Sequence, residues 1–382
     1  NKGFEFTDDE FEADVIAVNT CCFIHDAKQE SINTILEMAE HKKDGACKAL
    51  IVSGCLAHRY QDEITKEIPE VDAFLGTSSY DKIADVILAV LEGKGYNCID
   101  SADRLVRTDT ERIITTGGYY EYLKIAEGCD KHCTYCIIPK VRGNYRSYPM
   151  EYLVRQAESL VEKGVRELIL VAQETTVYGV DIYGKKSLAE LIKRLAGIEG
   201  LSWIRILYCY PEEIDDSLIE VIKNEPKVCH YLDMPIQHAS DNILKRMGRR
   251  TTKQELKYVI ARLRENIPDI ALRTTLITGF PGETQEEHEE MLDFVDEMEF
   301  DRLGVFTYSA EEDTPAAAMP GQIDEAVKEA RRDAVMELQQ AVSLDKSREM
   351  IGRVIECLIE GKIEDDNTYV GRSYKDAPNV DG

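Results

Sequence analysis

At 382 residues the chain is too long for one ordinary domain and fits two or three. It is 43% hydrophobic and 31% charged, enough for real cores, and its longest apolar runs, such as Val86–Leu91, fall far short of the ~20 residues that span a bilayer. A net charge of −26 argues against a free nucleic-acid binder, which needs a basic face to displace counterions, and favours a positively charged protein partner. No signal-peptide pattern opens the chain, so a soluble cytoplasmic protein without membrane contact is expected. Because the first residue is Asn1 rather than Met, the natural start is expected to be missing.

Taken in chain order, the first block (residues 1–100) alternates short apolar runs with helical patterns. Asp14–Val18 and Ala49–Val52 read as buried parallel strands. Residues 26–43 carry a helix between them, and residues 80–92 carry another, with Ile83, Ile87, Val90 and Leu91 on one face. Such alternation predicts an α/β fold with a doubly wound parallel sheet. Residues 101–117, rich in Asp, Arg and Thr, read as a linker. From 118 to 345 the alternation is more regular, with strand-like runs at 119–126, 167–172, 203–209, 229–234, 270–277 and 303–308. Six β/α units in series predict a partial (β/α)6 barrel, with chemistry at the strand ends. Thr284 and Glu287, after Gly279-Phe280-Pro281-Gly282-Glu283, form a capping-box pattern for the next helix. A long helical stretch at 322–350 closes the block. Residues 346–382 read as short alternating strands at 353–359 and 368–372, the start of a small antiparallel barrel too short to bury a core alone, so the chain is expected to be cut here as well.

Eleven cysteines without a secretory signal point to metal or redox work rather than disulfides. Three stand together in Glu127-Gly128-Cys129-Asp130-Lys131-His132-Cys133-Thr134-Tyr135-Cys136, directly after the first barrel strand. Three thiolates in a tight loop suit three irons of a cubane, leaving the fourth iron open to an exchangeable chelating ligand. A structural zinc site would need a fourth ligand such as His132, and a ferredoxin-type carrier would need a fourth cysteine at ferredoxin spacing. Cys98, Cys209, Cys229 and Cys357 sit in apolar or strand-like runs and read as buried thiols.

The Cys129/Cys133/Cys136 loop, with Tyr135 before its last cysteine, resembles the radical S-adenosylmethionine (SAM) superfamily. The whole chain resembles the methylthiotransferase family: Val18-Asn19-Thr20-Cys21, Ser53-Gly54-Cys55-Leu56, Ile137-Ile138-Pro139, Arg142-Gly143, Ala172-Gln173-Glu174-Thr175-Thr176 and Gly279-Phe280-Pro281-Gly282-Glu283 occur in the family's order. The resemblance implies a [4Fe-4S] cluster on the three-cysteine loop. That cluster binds SAM through its amino and carboxylate groups and cleaves it reductively to a radical that takes hydrogen from an unactivated carbon. It also implies a second [4Fe-4S] cluster in the first domain, a second SAM as methyl source, an electron donor of flavodoxin or ferredoxin type, and a sulfur donor. The C-terminal segment would be TRAM-like.

Cys21 and Cys55 match two of the second cluster's three ligands. Residues 1–14 contain no cysteine where the third belongs, so this piece is expected to lack one ligand. Cys22 stands where the family carries a small residue, and is read as a spectator rather than a substitute. Gln173 and Glu174 end the second barrel strand, where relatives contact SAM. Arg273, inside the fifth strand, needs an anionic partner: the SAM carboxylate or an internal carboxylate. Tyr208, Tyr210 and His238 lie near strand ends, where they would line the substrate mouth or pack, with packing as the expected role.

The strings Leu207-Tyr208-Cys209-Tyr210-Pro211-Glu212, Leu232-Asp233-Met234-Pro235-Ile236-Gln237-His238 and Gly371-Arg372-Ser373-Tyr374-Lys375-Asp376-Ala377-Pro378 are similar to the family's RimO-type branch. That branch methylthiolates the β-carbon of an aspartate in protein twelve of the small ribosomal subunit. Charge agrees: residues 346–382 carry six Lys/Arg and eight Asp/Glu, a net of −2, which suits a basic ribosomal protein better than tRNA. A tRNA methylthiotransferase and a non-catalytic metal-binding module are the competing expectations.

Overall fold

The computed structural model describes residues 3–107, 112–363 and 367–381. Residues 108–111 of the expected linker, 364–366 and 382 of the expected C-terminal barrel, and the first two residues lie outside that description. Contacts divide the chain into two units, each discontinuous in sequence. One holds residues 1–110, 127–146 and 309–317; the other holds 111–126, 147–308 and 318–382. The division differs from the boundaries read off the sequence, because the cysteine loop and residues 309–317 group with the first block.

The first unit is built on β1 (Val15–Thr20), β2 (Ala49–Gly54) and β3 (Ala73–Leu75), all parallel. Side chains alternate across a strand, so consecutive β2 residues serve opposite faces. Leu50 and Val52 pack with Ile35, Met38, Leu56 and Phe74, under α1 (His25–Asp44) and α2 (Cys55–Glu67). Ile51 packs with Ala73, Leu75 and Val86 against α3 (Ile83–Leu91). Both faces are covered, as a parallel sheet requires, and the doubly wound expectation holds. After the cysteine loop, the short helix α4 (Ile138–Arg142) joins the same core through Ile137 and Val141.

The second unit is a six-stranded parallel sheet whose strands follow one another in chain order. They are β4 (Tyr120–Lys124), β5 (Glu167–Val171), β6 (Trp203–Ile206), β7 (Val228–Asp233), β8 (Ala271–Thr278) and β9 (Arg302–Thr307). Intervening helices include α5 (Met150–Glu162), α6 (Leu188–Ala196), α7 (Asp216–Asn224), α8 (Lys253–Asn266) and α9 (Gln285–Met298), and α10 (Glu325–Glu349) follows β9. Sequential parallel β/α units make the expected partial (β/α)6 barrel. The run 203–209 leaves the ladder after Ile206, because Tyr208 turns into a left-handed backbone conformation (φ 59°). The capping box at Thr284 and Glu287 is present, and a second, at Thr252 and Glu255, opens α8.

Antiparallel β10 (Cys357–Lys362) and β11 (Tyr369–Ser373) end the regular structure. Residues 372–381 are then sewn into the barrel. Arg372 pairs with Glu167, Arg205 Nη1 donates to the Tyr374 carbonyl (2.6 Å), and Arg302 Nε donates to Asp376 (3.0 Å). Ala377 is fully buried among Tyr120, Ile169, Trp203, Tyr231 and Ala271. Cys98, Cys209 and Cys229 are buried thiols as expected, but Cys357 is exposed. Its neighbour Leu358 packs against the barrel cluster, so Cys357 lies on the opposite, uncovered face of the strand. Among the described residues, no helix is long and apolar enough to cross a membrane.

Candidate functional site

The first unit gathers both sets of cysteines singled out in the sequence. Gly128 opens the loop at φ 80°, and a Cβ there would lie 2.1 Å from the Asn144 carbonyl oxygen, so only glycine lets the two backbones approach. The Cys129 N–H donates to the Gly143 carbonyl (3.2 Å), the Cys136 N–H to that of Cys133 (3.0 Å), and Asp130 Oδ1 accepts from the Tyr145 N–H (2.9 Å). The segment 309–317 braces the loop from outside. The Ala316 N–H donates to the Thr134 carbonyl (2.9 Å), and Lys140 Nζ donates to the Asp313 carbonyl (2.9 Å). Cys129 and Cys133 are buried, Cys136 and Tyr135 partly so. Burial pushes the Cys136 thiol up to about 12, and the nearby Cys133 and Cys129 thiols push the same way.

Cys21 and Cys55 stand at the ends of β1 and β2. Gly54, at φ 95°, lets these ends close up, since a Cβ there would meet the Thr20 carbonyl at 2.4 Å. Ser31 Oγ holds the Cys21 backbone, accepting its N–H (3.0 Å) and donating to its carbonyl (3.1 Å). The two vicinal cysteines face apart: Cys21 is exposed, while Cys22 is fully buried against Cys55. Cys55 opens α2, where a helix N-terminus favours thiolate. Its thiol is lowered to about 6, first by a hydrogen bond from Cys22 and then by Arg142, while the Cys22 thiol is pushed well up. Arg142 also lies 3.5 Å from Glu127 Oε1. One half-buried guanidinium therefore ties Cys55 to the loop that carries Cys129.

Among the described residues, no three His, Cys, Asp or Glu side chains converge closely enough to hold a single metal ion. The donor set fits a cluster. Three thiols on one loop are the donor type and number that a cubane takes from a protein, and metal binding would supply the charge that ionises buried thiols. Reasoning from sequence gave Arg142 and Glu127 no role. The signal for them was a cation placed directly after a thiol loop, where a buried charge needs a partner.

The remaining expected site residues belong to the second unit. Glu174 is buried and accepts from the Thr176 N–H (3.0 Å); Gln173 is partly exposed beside it. Arg273 has internal partners, donating from Nη1 to Asp233 (2.8 Å) and from Nε to Asp381 (3.1 Å). Internal carboxylates thus supply anionic partners for it. His238 is fully buried and 3.6 Å from Glu283, and Tyr210 lies under the Arg249 guanidinium at 4.3 Å, so both pack. Tyr208 is exposed.

Against known proteins, all 382 residues align at 64% identity with the ribosomal protein uS12 methylthiotransferase RimO of Lachnoclostridium phytofermentans, covering 87% of that protein. The chain belongs to the RimO family of radical SAM methylthiotransferases. The RimO protein of Clostridioides difficile is 52% identical over the whole of this chain and 86% of its own length. The radical SAM superfamily model matches residues 123–295, the uncharacterized protein family UPF0004 residues 1–76, and the TRAM domain residues 351–382. Among solved structures, the radical SAM methyltransferase TsrM from Kitasatospora setae, with cobalamin and a [4Fe-4S] cluster bound, superposes with a TM-score of 0.59. It shares 14% identity over 80% of this chain and 66% of its own, a likeness of fold.

Proposed function

We propose that this RimO-family chain adds a methylthio group to the β-carbon of an aspartate in ribosomal protein uS12. One observation carries the reading: every residue of the chain aligns at 64% identity with a protein named for that activity. Cys129, Cys133 and Cys136 would hold a [4Fe-4S] cluster, and Cys21 and Cys55 are proposed ligands of a second. With SAM bound, such a cluster supplies one-electron cleavage of SAM and abstraction of an unreactive hydrogen. The chain's own residues do the rest. The Gly128 turn and Asp130 fix the loop, burial of Cys129 and Cys133 keeps water from it, and Arg142 places a positive charge between the loop and Cys55. Tyr135, Gln173 and Glu174 are proposed to contact SAM. Arg273, held by two carboxylates, is better suited to shape the barrel interior. The domain boundaries at 100, 117 and 345, an external reductant and a sulfur donor belong to the same proposal.

The test is mass spectrometry of uS12 after anaerobic incubation with the N-terminally complete, cluster-loaded enzyme, SAM, reductant and sulfide, beside a tube containing tRNA instead. The expected result is one methylthio increment on a single aspartate, abolished by Cys129→Ala. An increment on tRNA alone would move the enzyme to the family's other branch. Absence of both the increment and 5′-deoxyadenosine would leave a metal-binding module.

A further inference from the structure

Six non-glycine residues among those described have a positive φ, and two of them, Tyr208 (59°) and Gln237 (73°), stand just past the ends of the neighbouring strands β6 and β7. For Gln237 the reason is backbone pairing, since it bridges to Leu276 of β8. Tyr208 has no such link, and a left-handed backbone is unfavourable for a bulky aromatic residue. Both of its backbone groups are nevertheless pinned. Its N–H donates to Asp233 Oδ2 (3.0 Å), and its carbonyl accepts from the Thr175 N–H (3.1 Å). Thr175 Oγ1 also donates to the Leu207 carbonyl (2.6 Å).

The brace reaches deep into the barrel. Asp233 is buried and its second oxygen takes Arg273, whose Nε donates to Asp381. Asp381 in turn accepts the Tyr231 hydroxyl (2.7 Å) and the Ala377 N–H (2.9 Å). Three buried or half-buried charges thus hold one strained residue. Packing alone does not explain that arrangement: Leu207 and Cys209 on either side are buried, whereas Tyr208 as a residue is 47% exposed, its hydroxyl turned toward Asp233 and Arg273. A ring displayed at the C-terminal end of a barrel strand, at the cost of backbone strain, is where such a fold meets its ligand.

We infer that Tyr208 is a specificity-determining residue whose ring takes a cationic side chain of the ribosomal protein, and that Asp233, Arg273 and Asp381 are positioning residues that present it. The inference rests on the proposed uS12 activity. A basic substrate carries Arg and Lys in abundance, and an aromatic face attracts such a cation. The acidic balance of the chain favours the same encounter.

Steady-state methylthiolation of uS12 by the N-terminally complete, cluster-loaded enzyme tests this through KM and kcat separately. Tyr208→Leu should raise KM for uS12 about tenfold, the equivalent of a cation–π contact of ordinary strength. Tyr208→Phe, which keeps the ring, should remain within about twofold. Asp381→Asn should raise KM as well, and Tyr208→Leu combined with Asp381→Asn should be no worse than Tyr208→Leu alone, because the relay acts only through the ring. An unchanged KM in Tyr208→Leu, or effects that multiply in the double variant, would overturn the inference while wild-type turnover left the functional reading intact. A wild-type enzyme that leaves uS12 unmodified would remove both. If Asp381→Asn does not fold, the Leu and Phe variants at exposed Tyr208 still decide.

Discussion

Cys55 shows how a single thiol acquires its character from its neighbours. Cys22 donates to it, Arg142 faces it, and a helix begins at it, so its pKa falls to about 6. In cluster-free protein, alkylation of Cys55 should therefore reach half its maximal rate near pH ~6 rather than at the ~8.5 of a free thiol, as a mass-spectrometric pH profile would record. Cys22→Ala removes the largest cause and should move that midpoint upward. Gly128 makes the opposite point, that a residue can matter by having no side chain. Alanine there meets the Asn144 carbonyl and is forced to a positive φ, so Gly128→Ala should cost about 1–3 kcal/mol or more in a denaturant melt. Of these features the sequence displayed the thiols and their spacing. It did not display the pairing of Cys22 with Cys55, because adjacent residues at a strand end face opposite ways and only the surrounding core decides which is buried. The exposed Cys357 is the same lesson reversed: an alternating run states a period, not which side is covered.

Elements were legible where periodicity and end signals coincided. The strand of residues 271–278 and the helix Gln285–Met298 follow directly from an apolar alternation and a Thr284/Glu287 box. Thr284→Ala and Thr252→Ala each remove one such box and should each destabilise by about 1 kcal/mol in urea unfolding. The run after Trp203 was read three residues too long because its composition stays strand-like through Cys209; a buried carboxylate from the next strand turns it aside. Long-range ion pairs leave no mark on local patterning. Arg273 therefore announced its need for an anion without naming Asp233 and Asp381, from strands and segments up to about a hundred residues away. Arg273→Ala would leave Asp233 buried without its cation, and a loss of about 3–5 kcal/mol is expected in the same unfolding assay.

For the whole molecule, acid should be harmful before carboxylates begin to titrate. Burial holds the His58 and His288 imidazoles below the usual value, Arg142 adding to the effect at His58. The unfolded chain takes up protons at these positions from about pH 6.5 downward, while the folded chain refuses them until lower pH. The stability they preserve is thus complete above about pH 6.5 and is lost as the pH falls below it, which a series of thermal melts between pH 8 and pH 5 would reveal.

Both units are also patched together from distant stretches of chain, and this sets an order of events during synthesis. Lys28 pairs with Glu311 (2.7 Å), and Arg59 Nη2 donates to the Glu312 carbonyl (2.7 Å), so the first unit waits for a segment made some 250 residues later. The barrel waits longer still, for Ala377 and Asp381. A nascent chain released before these segments emerge holds its cysteine loop unbraced and its interior charges unpaired. Iron loading is therefore expected to follow the synthesis of these segments rather than precede it, with an interval in which the loop thiols stay open to oxidants.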